Sequence, residues 1–308
     1  MSDIASLPHA SLYVLFQGVK EDGNLYWVEY DGPNDKWGPV VQVPGVRMSS
    51  SPSAVFYKSK VYVFYRENGG SKLMYVEHDG TNWSTARQSP NSSLSQSPNA
   101  AVFKDKIYLF WQGKNNSGNL WWKTFDGETF TPEKKSSNAG LSASPGAVNY
   151  GDGRLYVFYQ GKSNSGRIWY SSSEDDFNSS TMVRQPNGSE VGITDSPRGI
   201  YYLPNNTVWC FHRGRGHSNQ AWVFTMDSRE IFGADRQIAP NQQLKISKTP
   251  CPFYVADDLI FVFYEEESNR GNLLVSRLQP ETFQVIGNPL KIGECGSSPA
   301  AIRAWPKP

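Results

Sequence analysis

The feature that most constrains this chain is a Ser/Thr-Pro pair that recurs six times, at Ser51-Pro52, Ser97-Pro98, Ser144-Pro145, Ser196-Pro197, Thr249-Pro250 and Ser298-Pro299. The intervals of 46, 47, 52, 53 and 49 residues match or slightly exceed the ~40–50 residues of a four-stranded propeller blade. Each pair opens a unit. The stretch that follows is small and apolar (Ala54-Val55-Phe56, Ala100-Ala101-Val102, Ala147-Val148), as an innermost strand crowded around a channel needs. A polar turn such as Lys58-Ser59-Lys60 then leads to a near-continuous apolar run: Val61 to Tyr65, Ile107 to Trp111, Leu155 to Tyr159. Such runs read as a second strand buried on both faces. A Gly/Asn-rich turn precedes a third strand, Asn119-Leu120-Trp121-Trp122 or Arg167-Ile168-Trp169-Tyr170, and Asp-Gly turns then come before Trp83 and Phe130.

The sixth unit, Ser298 to Trp305, supplies an inner strand and stops, whereas the N-terminal part opens with a second strand, Leu12 to Phe16, that lacks an inner one. The expectation is therefore an all-β, six-bladed β-propeller over residues 1–308 as one domain. Pairing of the N- and C-terminal strands in one blade closes the ring and removes an exposed sheet edge. The aromatic content of 14%, with 27 glycines and 20 prolines, suits many short strands and tight turns.

Thirty basic against 29 acidic residues give a net charge of +1, too balanced for the cationic footprint that nucleic acid or an anionic membrane demands. No apolar run approaches the ~20 residues that span a bilayer, and the first residues lack the basic and apolar regions of a signal peptide. A cytoplasmic protein, or one exported without a conventional signal peptide, is expected. Cys210, Cys251 and Cys295 are odd in number and lack metal-ligand spacing, so free, structural thiols are expected. His9, His78, His212 and His217 do not recur beside a serine or cysteine, which argues against a zinc site or a histidine-based triad. No metal, cofactor or catalytic residue is assigned.

The loop entering the inner strand and the turn joining second to third strand open on one face of the disc. That face collects the Ser-Pro hydroxyls, the Gly/Asn turns, and a polar column ending the second strands: Gln17, Arg66, Gln112, Gln160, Arg213 and Glu265. Amide and guanidinium donors beside aromatic surface suit a sugar. The same side chains could equally cap backbone groups where blades splay apart. The nearby acids, Glu67, Asp195 and the run Glu265 to Glu267, do not form the repeated carboxylate pair of a glycosidase.

The units Ile107 to Trp122 and Ser51 to Phe56, with Asp79-Gly80-Thr81-Asn82-Trp83, resemble blades of the fungal and bacterial fucose-binding propeller lectins, and the likeness extends over all six repeats. That resemblance implies sugar sites between adjacent blades, held by an arginine in the second strand, a glutamate in the third and aromatics near the Asp-Gly turn. Here the arginine positions carry Tyr13, Tyr62, Tyr108, Tyr156, Trp209 and Ile260, and the glutamate positions Trp27, Tyr75, Trp122, Tyr170, Val223 and Val275. Aromatics near the turn partly survive as Trp37, Trp83, Phe125 and Phe130.

The leading expectation is a non-enzymatic, multivalent carbohydrate-binding protein whose partners are glycans or glycoconjugates. Its candidate ligand residues are Gln17, Arg66, Gln112, Gln160 and Arg213, with the aromatic pairs Tyr62–Tyr75, Tyr108–Trp122 and Tyr156–Tyr170. The rivals are a glycoside hydrolase or lyase with one site near the channel, and a protein-interaction scaffold.

Overall fold

The computed structural model describes residues 10–151, 153–216, 218–240, 244–256, 259–268 and 271–306; His9 and His217 lie outside them. Six antiparallel sheets form six blades. Blade 2 is typical, running from an inner strand Met48–Tyr57 through Lys60–Glu67 and Lys72–His78 to an outer strand Arg87–Ser93. Blade 1 is built from both chain ends: Ala300–Pro306 pairs antiparallel with Ala10–Gln17, in the register Tyr13 to Ile302 and Leu15 to Ala300. Inner strands touch their neighbours right around the ring, including the contact of Ala300–Pro306 with Met48–Tyr57. The chain ends therefore close the propeller by hydrogen bonding, as the split sixth repeat predicts.

Each seam between blades holds its own core. Six separate apolar clusters fill the six seams, which explains why second strands read as unbroken apolar runs: Leu259–Glu265 is buried along its whole length. Where the inner strands begin, close to the axis, most side chains are small, and polar groups join neighbouring strands. Ser53 Oγ accepts the Ala100 N–H at 2.9 Å, and Asn99 Oδ1 accepts that of Ala147 at 2.7 Å. At Gly146 a Cβ would run into the Pro197 carbonyl of the next blade.

Local turns follow from the polar residues. The inner hairpins place Lys58 and Ser59, and likewise Lys104 and Asp105, at positive φ, the backbone that matches strand twist in a two-residue turn. In the outer turns, Asp79 Oδ1 accepts the N–H groups of Thr81 and Asn82, and Asp126 Oδ1 those of Glu128 and Thr129. Four backbone donors hold the Asp126 and Asp79 carboxyls below the usual range. The C-terminal strand is latched at its end: Trp305 Nε1 donates to Ser59 O at 3.0 Å, and its ring meets His78 at 5.0 Å and Tyr13 at 5.6 Å. All three cysteines are buried and free. Among the described residues no helix is long and apolar enough to cross a membrane.

Candidate functional site

The polar column bridges blades. Gln17 Nε2 donates to Met48 O at 3.1 Å, Gln112 to Leu141 O at 2.7 Å and Gln160 to Ile193 O at 3.3 Å. Each acceptor lies three residues before the next blade's Ser-Pro serine. The longer arginines reach one residue further, Arg66 to Ser95 O at 3.0 Å and Arg213 to Ser247 O at 2.9 Å. Side-chain length thus selects the carbonyl, which explains how Gln and Arg alternate at one architectural position. The capping role that the sequence left open is present in these five blades, so the side chains lie within the inter-blade packing.

Capping does not exhaust their hydrogen-bonding capacity. Gln17 Oε1, Gln112 Oε1 and Arg213 Nε are buried without a protein partner. In blade 6 the column residue is a carboxylate and cannot donate. Glu265 instead accepts the Gly271 N–H at 3.0 Å through Oε1, and its buried Oε2 has no partner.

Two grooves open over this column at equivalent places. The groove between blades 3 and 4, of 390 Å³, is lined by Gln96, Gln112, Gly118, Leu141, Lys162 and Asn164. Between blades 6 and 1, the same repeat positions supply Lys248, Glu265, Gly271 and Cys295 to a groove of 710 Å³ that also takes in Arg213 and Lys20. Both volumes fall in the range of small-molecule sites, roughly 300–1,000 Å³. One groove is walled by amides, the other by charge.

A feature missed in the sequence reading sits beside these turns. Trp121, Trp169 and Trp222 occupy one register position in blades 3, 4 and 5, paired with Trp111, Tyr159 and His212. Each indole lies against the glycine that follows the column residue, Gly113, Gly161 or Gly214, where a Cβ would meet its Nε1. All three stay half-buried. The signal was the doublet Trp121-Trp122 or Trp169-Tyr170, in which strand alternation sends the two rings to opposite faces.

The other member of each doublet packs into the next seam. Tyr108 stacks on Trp122 at 5.9 Å, and Phe177 of blade 4 closes over Trp122 at 5.2 Å. Phe125 and Phe130 of blade 3 cover Tyr75, both at 5.5 Å. Phe232 of blade 5 covers Tyr170 at 5.5 Å, while Glu230 accepts both the Tyr156 and Tyr170 hydroxyls. Burial pushes the Tyr62 phenol up to about 12. Tyr62, Tyr75, Trp122, Tyr156 and Tyr170 are all less than a tenth exposed. Rings of the following blade fill the space that a sugar would need over these pairs. Cations finish the layer, with Arg87 over Tyr75 at 5.7 Å and Lys134 over Trp122 at 4.5 Å.

The chain matches no family model and no curated protein sequence. Its fold is similar to that of several solved propellers. A variant of the Aleuria aurantia lectin in complex with Fucalpha1-6GlcNAc superposes with a TM-score of 0.68 at 16% identity, covering 92% of this chain and 93% of that one. AofleA from Arthrobotrys oligospora gives 0.64 at 12% identity, over 98% and 91%. A Hadza microbial sialidase gives 0.62 at 10% identity, covering 85% of this chain and 60% of its own. The first two are likenesses over nearly the whole of both chains, and what they establish at such identities is the architecture, a six-bladed β-propeller.

Proposed function

We propose that this protein is a multivalent carbohydrate-binding protein without catalytic activity, and that its sites are the inter-blade grooves of the face carrying the polar column. The observation that carries this reading is the recurrence of one groove design at blades 3 and 4 and at blades 6 and 1, from the same repeat positions. A lectin gains from repetition, because several weak sites on one rigid disc add through avidity. Among the column residues Gln112 and Arg213 line the two grooves, and Gln17, Arg66 and Gln160 hold the same repeat position in the other blades; the asparagine-rich turns supply amides, and the half-buried indoles of Trp121, Trp169 and Trp222 offer flat apolar surface beside the column. The aromatic pairs Tyr62–Tyr75, Tyr108–Trp122 and Tyr156–Tyr170 hold the seams beneath. The fold shared with the Aleuria aurantia lectin, whose variant was solved in complex with Fucalpha1-6GlcNAc, supports the reading.

The test is a glycan array run beside a hydrolysis assay on the glycans it retains. Retention of a defined glycan set with no cleavage supports the proposal. Absence of any retained glycan, or turnover of those retained, overturns it.

A further inference from the structure

The mouth of the central channel, beside the grooves, carries different chemistry. All six repeated hydroxyls, from Ser51, Ser97, Ser144, Ser196, Thr249 and Ser298, line a cavity of 150 Å³ there. A ring of neutral hydroxyls alone would be matched to water. Three charged side chains line the same cavity: Asp195 and Lys248, each just before a Ser/Thr-Pro pair, and Arg198, just after one.

Arg198 is the anomaly. Its counterparts in the other inner strands are Ser53, Asn99, Gly146, Cys251 and Ala300, all small enough for the crowded axis. Ser53 and Asn99 use their side chains to join neighbouring inner strands, whereas Arg198 is only 9% exposed and its Nε is buried without a partner. Among the described residues it forms no ion pair. Asp195 offsets part of its charge from a distance, but no hydrogen bond joins the two, and Asp195 Oδ1 accepts the N–H and hydroxyl of Ser196 at 2.8 and 3.2 Å. Burial also holds the guanidinium pKa below the usual arginine range. A second orphan donor, Ser297 Oγ, is buried in the same cavity. A buried guanidinium without a partner is costly, and the remedy available to a folded protein is an anion.

We propose that the channel mouth binds a carboxylate, gripped by Arg198 with Ser297 and Lys248 as further donors. The class follows from size and charge. The cavity admits a carboxylate-sized group, the planar guanidinium fork matches two carboxylate oxygens, and two cations against one carboxylate leave a single positive charge to neutralise. The carboxylate can be free or borne by an acidic sugar. The cavity adjoins the grooves, sharing Lys248 and Gly296 with one and Gln96 with the other, but Arg198 and Ser297 line neither, so the carboxylate site does not rest on glycan binding in the grooves.

The experiment is calorimetric titration of the full chain with sodium acetate, sodium glucuronate and sodium sulfate, each separately and at fixed ionic strength, with NMR observation of the arginine Nε–H signals. One saturable site per chain and a shift of one buried arginine signal are expected. Arg198→Lys, which keeps the charge and loses the fork, weakens binding by about tenfold or more. Ser297→Ala, which removes a hydroxyl with no protein partner, weakens it severalfold without lowering the melting temperature. Tighter binding of glucuronate assigns an acidic sugar, and equal binding assigns a free small carboxylate. No saturable binding of either carboxylate, a preference for sulfate over both, or unchanged affinity in Ser297→Ala overturns the proposal. Should Arg198→Lys fail to fold, the wild-type NMR titration and Ser297→Ala decide it.

Discussion

The side-chain amide of Gln112 donates to the carbonyl of Leu141 at 2.7 Å, tying the end of a blade 3 strand to the segment that enters blade 4. Replacing Gln112 by alanine leaves that carbonyl without its donor in a buried seam. The expected loss is about 1–3 kcal/mol of folding stability, read from the midpoint of a urea transition with unchanged slope. Arg66→Ala and Gln160→Ala act in other seams, and the triple variant loses roughly the sum of the three. Unaltered stability in all three single variants contradicts the tie.

How much of this was legible in the sequence depends on what each residue touches. The repeat and the split sixth unit fix blade number and closure, because a strand without its partner, Leu12 to Phe16, matches an orphan strand at the other end. The column was visible as a position, but its partners were not, since Met48, Leu141 and Ile193 are reached only across a seam whose geometry is three-dimensional. Strand alternation shows that Trp121 and Trp122 face opposite ways; which one meets the next blade depends on the direction of blade stacking. Arg198 breaks the small, apolar pattern of the inner strands, and nothing in the sequence marks it as buried; Gly146 clears space for the strand that carries it.

Closure by the chain ends predicts a severe effect of truncation. Deleting residues 298–308 removes the inner strand of blade 1, strips the cover from Val14 and Leu15 and releases the Trp305 latch on Ser59. The melting transition should fall steeply and broaden in differential scanning calorimetry. Trp305→Ala, which loses only the half-buried latch, should cost about 2 kcal/mol, below the roughly 3–5 kcal/mol of a fully buried large aromatic. A truncated chain that melts like the intact one rules out the shared blade.

His78 gives the closing seam a pH dependence. It is buried among Trp27, Trp83 and Trp305, its Nδ1 accepts the Gly80 N–H at 3.0 Å, and burial lowers its pKa below the ordinary 6.5. The folded protein therefore binds fewer protons at this site than the unfolded chain does, and stability falls as pH drops below about 6.5. Urea unfolding followed between pH 7.5 and 5 should show this loss, and His78→Asn should flatten it. An identical slope in that variant would remove His78 from the account.

Burial of Cys210, Cys251 and Cys295, with each thiol pKa pushed up by its surroundings, predicts near-silence towards a thiol reagent in the native protein and three reactive thiols after denaturation. Rapid native labelling of any one of them would place it outside the core.

A disc with several glycan sites should bind several sugars at once, and counting them is the most direct test. Isothermal titration of the chain with the monosaccharide unit of an array-selected glycan should give more than one sugar per chain. Replacing three exposed residues of the groove between blades 3 and 4, as Asn116→Gly, Lys162→Ala and Asn164→Gly, should lower that number by one while the melting temperature holds; glycine preserves the positive φ of Asn116 and Asn164. A stoichiometry of one, or a number unchanged by the three substitutions, would contradict the account.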